Sequence, residues 1–234
     1  MGEAHDAGRA MPHHSGASMP KPKRKPTTGI QLGEEVARNM IIVGGARVFA
    51  SLGLRAASVE DLLEASKVSR RTFYRLFSSK DDVALALYQV GTTGLVESCR
   101  RAISSASDPI EQFAKCIDVH LRNAASMGRL VFVLGGEATR QESPLHDHRM
   151  RVHDTLVEML RAAHPDTARV DPLLVRTTMF AIEAVVRQVL TDGDEGRRVS
   201  PAAIARARSV MLRVVSASMV GTGKDVSALP LVDD

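Results

Sequence analysis

The chain has 234 residues, 44% of them hydrophobic and 25% charged. That length supports one or two domains with a sizeable core, and the composition excludes a disordered, collagenous or disulfide-stapled chain. The formal net charge of +4 is uneven: +3 over residues 1–30, +1 over 31–88 and zero over 89–234, which points to a polyanion at one end and an uncharged ligand at the other.

Residues 1–29 lack a periodic apolar face and are expected to be a disordered basic arm. Lys21-Pro22-Lys23-Arg24-Lys25-Pro26 reads equally as a segment that tracks phosphates and as a solubilising tail. His13-His14 is too short for a metal site. The first helix is expected over 32–52, with Phe49 facing a core and Gly53 as its C-cap. Gly44-Gly45 inside that helix costs roughly 1 kcal/mol per glycine relative to Ala, so a neighbouring helix is expected to pass close by.

Two short helices follow, joined by a turn at Lys67-Val68. Ser58 is placed to cap the first, with Glu60 and Asp61 on its positive end and Val59, Leu62 and Leu63 on its apolar face. Ser69 is placed to cap the second, expected over Arg70–Phe77, where Phe73, Leu76 and Phe77 share a buried face. Arg70, Arg71, Thr72, Tyr74 and Arg75 are left pointing outward. Five cations and no acid lie between Ser66 and Lys80. A solvated surface helix ordinarily interleaves acids at i,i+4, so this pattern favours contact with DNA.

These residues carry a resemblance. Ala46–Leu54, then S-V-E-D-L from Ser58 to Leu62, then V-S-R-R-T-F-Y-R-L-F-S-S-K-D-D-V from Val68 to Val83 resemble the DNA-binding domain of the TetR family of bacterial one-component regulators. Leu63 and Lys67 depart from that family's pattern, which has Ala and Gly there. Lys67 must therefore adopt a positive φ, at about 1 kcal/mol for a residue with a Cβ. The resemblance implies an all-α fold: a three-helix helix–turn–helix domain (residues 30–83), then a larger helical effector-binding and dimerisation domain (84–220) and a flexible tail (221–234). It implies DNA contacts from Ser58, Ser69, Arg70, Arg71, Thr72, Tyr74, Arg75 and Lys80, the lysine touching the DNA backbone. It also implies that the fourth helix couples effector to DNA.

That fourth helix is expected from Lys80 to about Ile103, capped by Ser79, with a bend at Gly91 to Gly94. Asp108-Pro109 opens the next, whose stripe is Ile110, Phe113, Ala114, Ile117, Leu121 and Ala124. His120 on that stripe reads either as a core histidine or as a polar handle inside a pocket. Residues 129–140, nearly continuously apolar from Leu130 to Leu134, predict a short buried helix. Ser143-Pro144 starts another, to about His164; its His146, His148 and His153 lack the i,i+4 spacing of a zinc pair, so no metal is expected. Asp171-Pro172 and Ser200-Pro201 open the last two helices. Their apolar sets are wider than one stripe, so a second copy of the chain is expected to cover one side. Glu183 and Arg187, four apart, are placed to pair with each other.

Cys99 and Cys116 are the only cysteines, too few for a disulfide framework and consistent with a reducing compartment. No apolar run is long enough to span a bilayer and no export signal is evident, so a cytoplasmic protein without membrane association is expected. No phosphate loop, nucleophile elbow or metal motif supports an enzyme, and no cofactor is expected.

The function these features predict is a repressor. It would bind a palindromic double-stranded DNA operator as a homodimer and be released by a small lipophilic effector. The competing expectation is an architectural, weakly specific DNA-binding protein without an effector. The effector pocket is expected near Phe113, His120, Met127, Phe132, Met179, Phe180 and Glu183. Aromatic residues are only 3% of the chain, so the pocket should be aliphatic and favour a flexible lipophilic molecule.

Overall fold

Three serines start three successive helices. Ser58 caps α2 (Val59–Ser66), Ser69 caps α3 (Arg70–Leu76) and Ser79 caps α4 (Lys80–Ser104). Each holds extended backbone and accepts a hydrogen bond from the amide three residues on, which satisfies one of the donors a helix start leaves orphaned. At Ser58 the capping box is complete: its own amide donates to Asp61 Oδ2 at 2.8 Å. The chain is a computed structural model that describes residues 28–106, 108–163, 171–191 and 200–219. Nearly all of the basic arm, including Lys21–Pro26, and the tail from Gly221 lie outside the described residues.

Among the described residues there are nine helices and no strand, so the fold is all-α as expected. α1 (Thr28–Ala56) begins four residues before the predicted start. Gly53 does break it, with φ 80° and ψ 164°, but a final turn continues beyond to Ala56. Gly44 and Gly45 are explained by close approach: a Cβ on Gly44 would lie 3.0 Å from the Ser66 amide nitrogen, and one on Gly45 would lie 2.9 Å from Val83 Cγ1. Lys67 closes α2 in the left-handed region at φ 56°, as the departure from glycine required. α4 runs through Gly91 and Gly94 without the interruption the sequence suggested. Gly91 instead makes room for the Met127 side chain.

α5 (Pro109–Met127) is capped by Asp108 with proline in its first turn. α6 (Arg129–Ala138) is the short helix expected from the apolar run. α7 (His146–Ala162) starts later than Ser143-Pro144, because those residues form a turn that buries Leu145 completely. α8 (Pro172–Thr191) and α9 (Pro201–Met219) complete the described chain.

Two principal cores result. The first gathers Ile41, Phe49, Leu62, Phe73 and Val83 from α1 to α4, and extends to Leu130, Leu134 and Ala138 of α6. The second joins Phe113 and Ile117 of α5 to Val157 and Leu160 of α7, Val175 and Val186 of α8, and Met211 and Val215 of α9. A smaller cluster of Leu95, Cys99, Val119 and Leu156 sits along the second half of α4. On α8 and α9, Leu173, Leu174 and Val210 remain exposed.

Candidate functional site

The first site is the surface of α3. Burial of Phe73 on one side turns Arg70, Arg71, Tyr74 and Arg75 outward, all exposed, with Tyr74 edge-on to Phe73 at 5.4 Å. The cations are less bare than their sequence neighbourhood suggested. Arg70 meets Glu60 of α2 at 2.5 Å and Arg75 meets Glu34 of α1 at 3.4 Å. The Arg70 hydrogen bond draws the Glu60 carboxyl below its ordinary value. Exposed pairs of this kind are weak and readily exchanged for another anion. Among the described residues Arg71 has no ion-pair partner.

Four more of the expected DNA contacts have internal partners. Ser58 donates its hydroxyl to Asp61 Oδ2 at 2.6 Å, and Ser69 and Thr72 share a hydrogen bond of 2.8 Å. Lys80 turns its ammonium onto the carbonyls of Arg55 and Ala57, at 3.0 and 2.6 Å. That binds the start of α4 to the end of α1, where helix carbonyls lack partners. Arg47 does the same for α2 through the Ala65 carbonyl at 3.0 Å. Lys80 is thus a clamp within the domain, a role the sequence pattern did not reveal.

The second site is a cavity of about 140 Å³ walled by α4, α5, α6, α7 and α8. Its lining extends along α4 from Tyr88 to Cys99 and along α5 from Phe113 to Met127, roughly 16 and 21 Å at the rise of a helix. Of the seven predicted residues, Phe113, His120, Met127, Met179 and Glu183 line it. Two do not. Phe132 is 41% exposed, because Leu130 and Leu134 take the inner face of α6. Phe180 lies behind the wall, its ring 4.8 Å from that of His153 and 5.0 Å from the Arg149 guanidinium.

Inside the apolar lining sits a charged cluster. Glu183 does not depend on the predicted pairing with Arg187. Its two oxygens meet Arg149 at 2.5 Å and His153 at 2.7 Å, both from α7. Burial pushes its carboxyl up, but hydrogen bonds and charge from His153 and Arg149 outweigh that and hold it at about 2. Burial lowers His120, so the ring facing the cavity is neutral at pH 7. Burial likewise raises the Tyr88 phenol, helped by the Glu183 charge. Cys99 and Cys116 both line the cavity and share a hydrogen bond that raises Cys116 and lowers Cys99. The thiol neighbour of Cys116 is therefore Cys99 on α4.

Arg149 and His153 were not predicted. They stand four apart on one face of α7, a spacing visible in the sequence, but only the fold shows that α8 brings a carboxylate opposite. His146 and His148 go elsewhere: His146 Nδ1 lies 3.3 Å from the Ala138 carbonyl oxygen, and His148 shares a hydrogen bond of 2.8 Å with Thr92. Among the described residues no three metal-ligating side chains converge.

Comparison with known proteins bears on both sites. Residues 41–87 match the family model of bacterial regulatory proteins, tetR family. Over 90 residues the chain is 26% identical to the HTH-type transcriptional activator FasR of Mycolicibacterium smegmatis, covering 38% of this chain. The match spans 41% of that relative's length. FadR from Bacillus subtilis, solved in complex with stearoyl-CoA, superposes with a TM-score of 0.64 at 19% identity, over 76% of this chain and 97% of that one. The fatty acid degradation regulator FadR from Bacillus halodurans gives 0.61 at 20% identity, over 74% and 97%. These structural likenesses establish the fold.

Proposed function

We propose that the chain is a ligand-responsive repressor of the TetR family, whose family model matches residues 41–87, and that it leaves its operator when a long-chain acyl effector fills the cavity. One observation carries this reading. Leu130 and Leu134 of α6 belong to the core that holds the helix–turn–helix, and the same two side chains wall the cavity. An occupant that displaces α6 therefore acts directly on α1, and through α1 on α3. Glu137, at the end of α6, also pairs with Arg55 at the end of α1 at 3.4 Å.

The occupant is read from the walls. They are largely aliphatic along α4, α5 and α6 and extend for several helical turns, with the charged side chains gathered where α7 meets α8. A flexible acyl chain fits such a space. The stearoyl-CoA bound by the Bacillus subtilis protein supports that class.

On the DNA side, Arg71 reads base edges and Tyr74 holds the backbone, while Arg70 and Arg75 exchange their carboxylate partners for phosphate or guanine. The exposed Leu173, Leu174 and Val210 support a homodimer through α8 and α9. Its two α3 helices would face a palindrome with half-sites about one helical turn apart, or a multiple. The domain limits at residues 30–83 and 84–220 belong to this proposal. So does the repressor sign, since the Mycolicibacterium smegmatis relative is an activator.

The test has two steps. Selection of bound duplexes from a random pool should yield a palindrome. Fluorescence anisotropy on that duplex should then show affinity falling between about 5- and 150-fold with a long-chain acyl-CoA. Tightening would assign an activator, and no change with any acyl compound would leave the weakly specific DNA binder as the better account.

A further inference from the structure

Two polar side chains reach the cavity without a partner. Tyr88 of α4 and His120 of α5 both line it. Among the described residues neither the Tyr88 hydroxyl nor the His120 ring makes a hydrogen bond or an ion pair. Polar groups set this deep are ordinarily paired. Neither is sealed off. Among the described residues His153 Nδ1 is the buried side-chain atom that lacks both a partner and accessible surface. The Tyr88 oxygen and both His120 nitrogens keep surface that a ligand atom can touch. Both residues are half-buried, and burial is the main cause of the shift in each, so the surface they keep faces the cavity.

The chemistry that suits these two groups follows from Glu183. Its charge raises the Tyr88 phenol against a smaller opposing effect of Arg149, and acts on His120 against a smaller opposing effect of His153. Glu183 stays ionised, its carboxyl held at about 2. Both polar points therefore sit in a net negative potential, which little water is present to screen. A carboxylate placed there is repelled and loses its hydration as well. An ammonium ion finds the two Glu183 oxygens already held by Arg149 and His153, at 2.5 and 2.7 Å. An uncharged carbonyl meets neither obstacle. The phenol O–H donates, and the neutral imidazole has one N–H to donate, so each can hold a carbonyl oxygen.

We propose that Tyr88 and His120 are specificity-determining residues that donate hydrogen bonds to uncharged carbonyl groups of the effector, so that the cavity takes an acyl ester, thioester or amide and rejects the free acid. The inference rests on the acyl reading of the cavity and deepens it. The hydrocarbon beyond the carbonyl lies along aliphatic lining such as Leu95, Ile117 and Leu156.

The experiment titrates the full chain by calorimetry with tetradecanoic acid, its primary amide, its methyl ester and tetradecylamine, at about pH 8, where the acid in water is ionised. The amide matches the acid in size and lacks its charge. Amide and ester should bind about tenfold more tightly than the acid. Tyr88→Phe, which keeps the ring and its contact with His148, and His120→Leu should each weaken amide and ester binding about fivefold and leave acid binding nearly unchanged. Infrared difference spectra with the ¹³C-carbonyl ester give a readout that a merely structural role would not move. The bound carbonyl stretch should fall below its frequency in alkane, and should rise back toward it in the variants. The wild-type shift decides the matter if a variant does not fold. An acid bound as tightly as the amide, a stretch unshifted from alkane, or amide affinity unchanged in both variants overturns the carbonyl site and leaves the acyl reading standing. If the amine binds best, or none of the four binds, the acyl reading of the cavity falls with it.

Discussion

The two halves of the molecule handle charge in opposite ways. In the helix–turn–helix half, charged side chains lie at the surface and the interior is aliphatic and aromatic: Ile41, Phe49, Leu62 and Phe73 are fully buried. Its cations grip exposed carboxylates or the carbonyls of helix ends, as Arg70, Lys80 and Arg47 do. In the half that holds the cavity the order is inverted. Arg149, His153 and Glu183 lie inside, around a space the side chains do not fill. A surface that must present a fixed array to DNA gains from dense packing and weak, exchangeable surface pairs. Under the proposed function that space is room kept for a ligand, and the ion cluster stands on its wall.

The comparison breaks most directly at Glu183. Glu183→Gln leaves Arg149 and His153 facing a neutral amide. The carboxyl is held at about 2 against an ordinary 4.5, a difference worth on the order of 3 kcal/mol. The thermal midpoint should drop by roughly 10 °C for a chain of this length. The sign with pH follows. A depressed carboxyl stabilises the folded state above its unfolded value, and the contribution is lost as pH falls from about 4.5 toward 2. Wild type should lose stability across that window more steeply than Glu183→Gln. Parallel acid curves would mean that the cluster adds nothing.

Gly44 tests the packed half. A Cβ there would meet the α2 backbone at 3.0 to 3.1 Å, and a backbone cannot swing aside as a flexible side chain can. Gly44→Ala should cost about 1–3 kcal/mol by overpacking, read from denaturant midpoints. Unchanged stability would show that α1 and α2 can separate, and with them the geometry of α3.

How much of this was legible differs between the halves for a physical reason. The first half is governed by local rules. Serine caps, a positive φ at Lys67 and two helical glycines each leave a mark within a few residues, and each was found where expected. What escaped were partners remote in sequence: Arg75 with Glu34, and Lys80 with the end of α1. In the second half the helices and five of the seven cavity residues could be read from apolar spacing. Periodicity, however, gives the face of a helix and not what stands opposite. Phe132 and Phe180 were assigned to the cavity as large apolar residues, but the rotation of α6 puts Leu130 and Leu134 there in place of Phe132, and Phe180 on α8 packs against His153 and Arg149 instead. That Arg149 and His153 also hold Glu183 escaped because no spacing rule reaches across to α7.

Arg71 sharpens the surface half of the comparison. It is exposed and has no ion-pair partner among the described residues, whereas Arg70 must first leave Glu60. Arg71→Ala should lose about 1–2 kcal/mol of discrimination between the selected operator and a single-base variant. Arg70→Ala should weaken binding with less effect on that ratio, because it also frees Glu60 near the phosphates. Competition titrations with both duplexes would check this, and equal discrimination by wild type and Arg71→Ala would remove Arg71 from the base-reading set.

The smallest effect lies at the junction of the two halves, on α4. Gly94 sits in an uninterrupted helix, and a Cβ there would meet nothing within 4 Å. Gly94→Ala should therefore stabilise the fold by less than about 1 kcal/mol, through the lower backbone entropy of the unfolded chain. Gly91 three residues earlier is the control, since its Cβ would lie 3.2 Å from Met127 Cε, the movable end of a side chain that lines the cavity. Gly91→Ala should give less of the stability gain and should alter acyl affinity, while Gly94→Ala leaves acyl affinity unchanged. If both variants gain stability equally and bind alike, then Met127 yields freely, and the contact between α4 and α5 at this point carries no information about cavity occupancy.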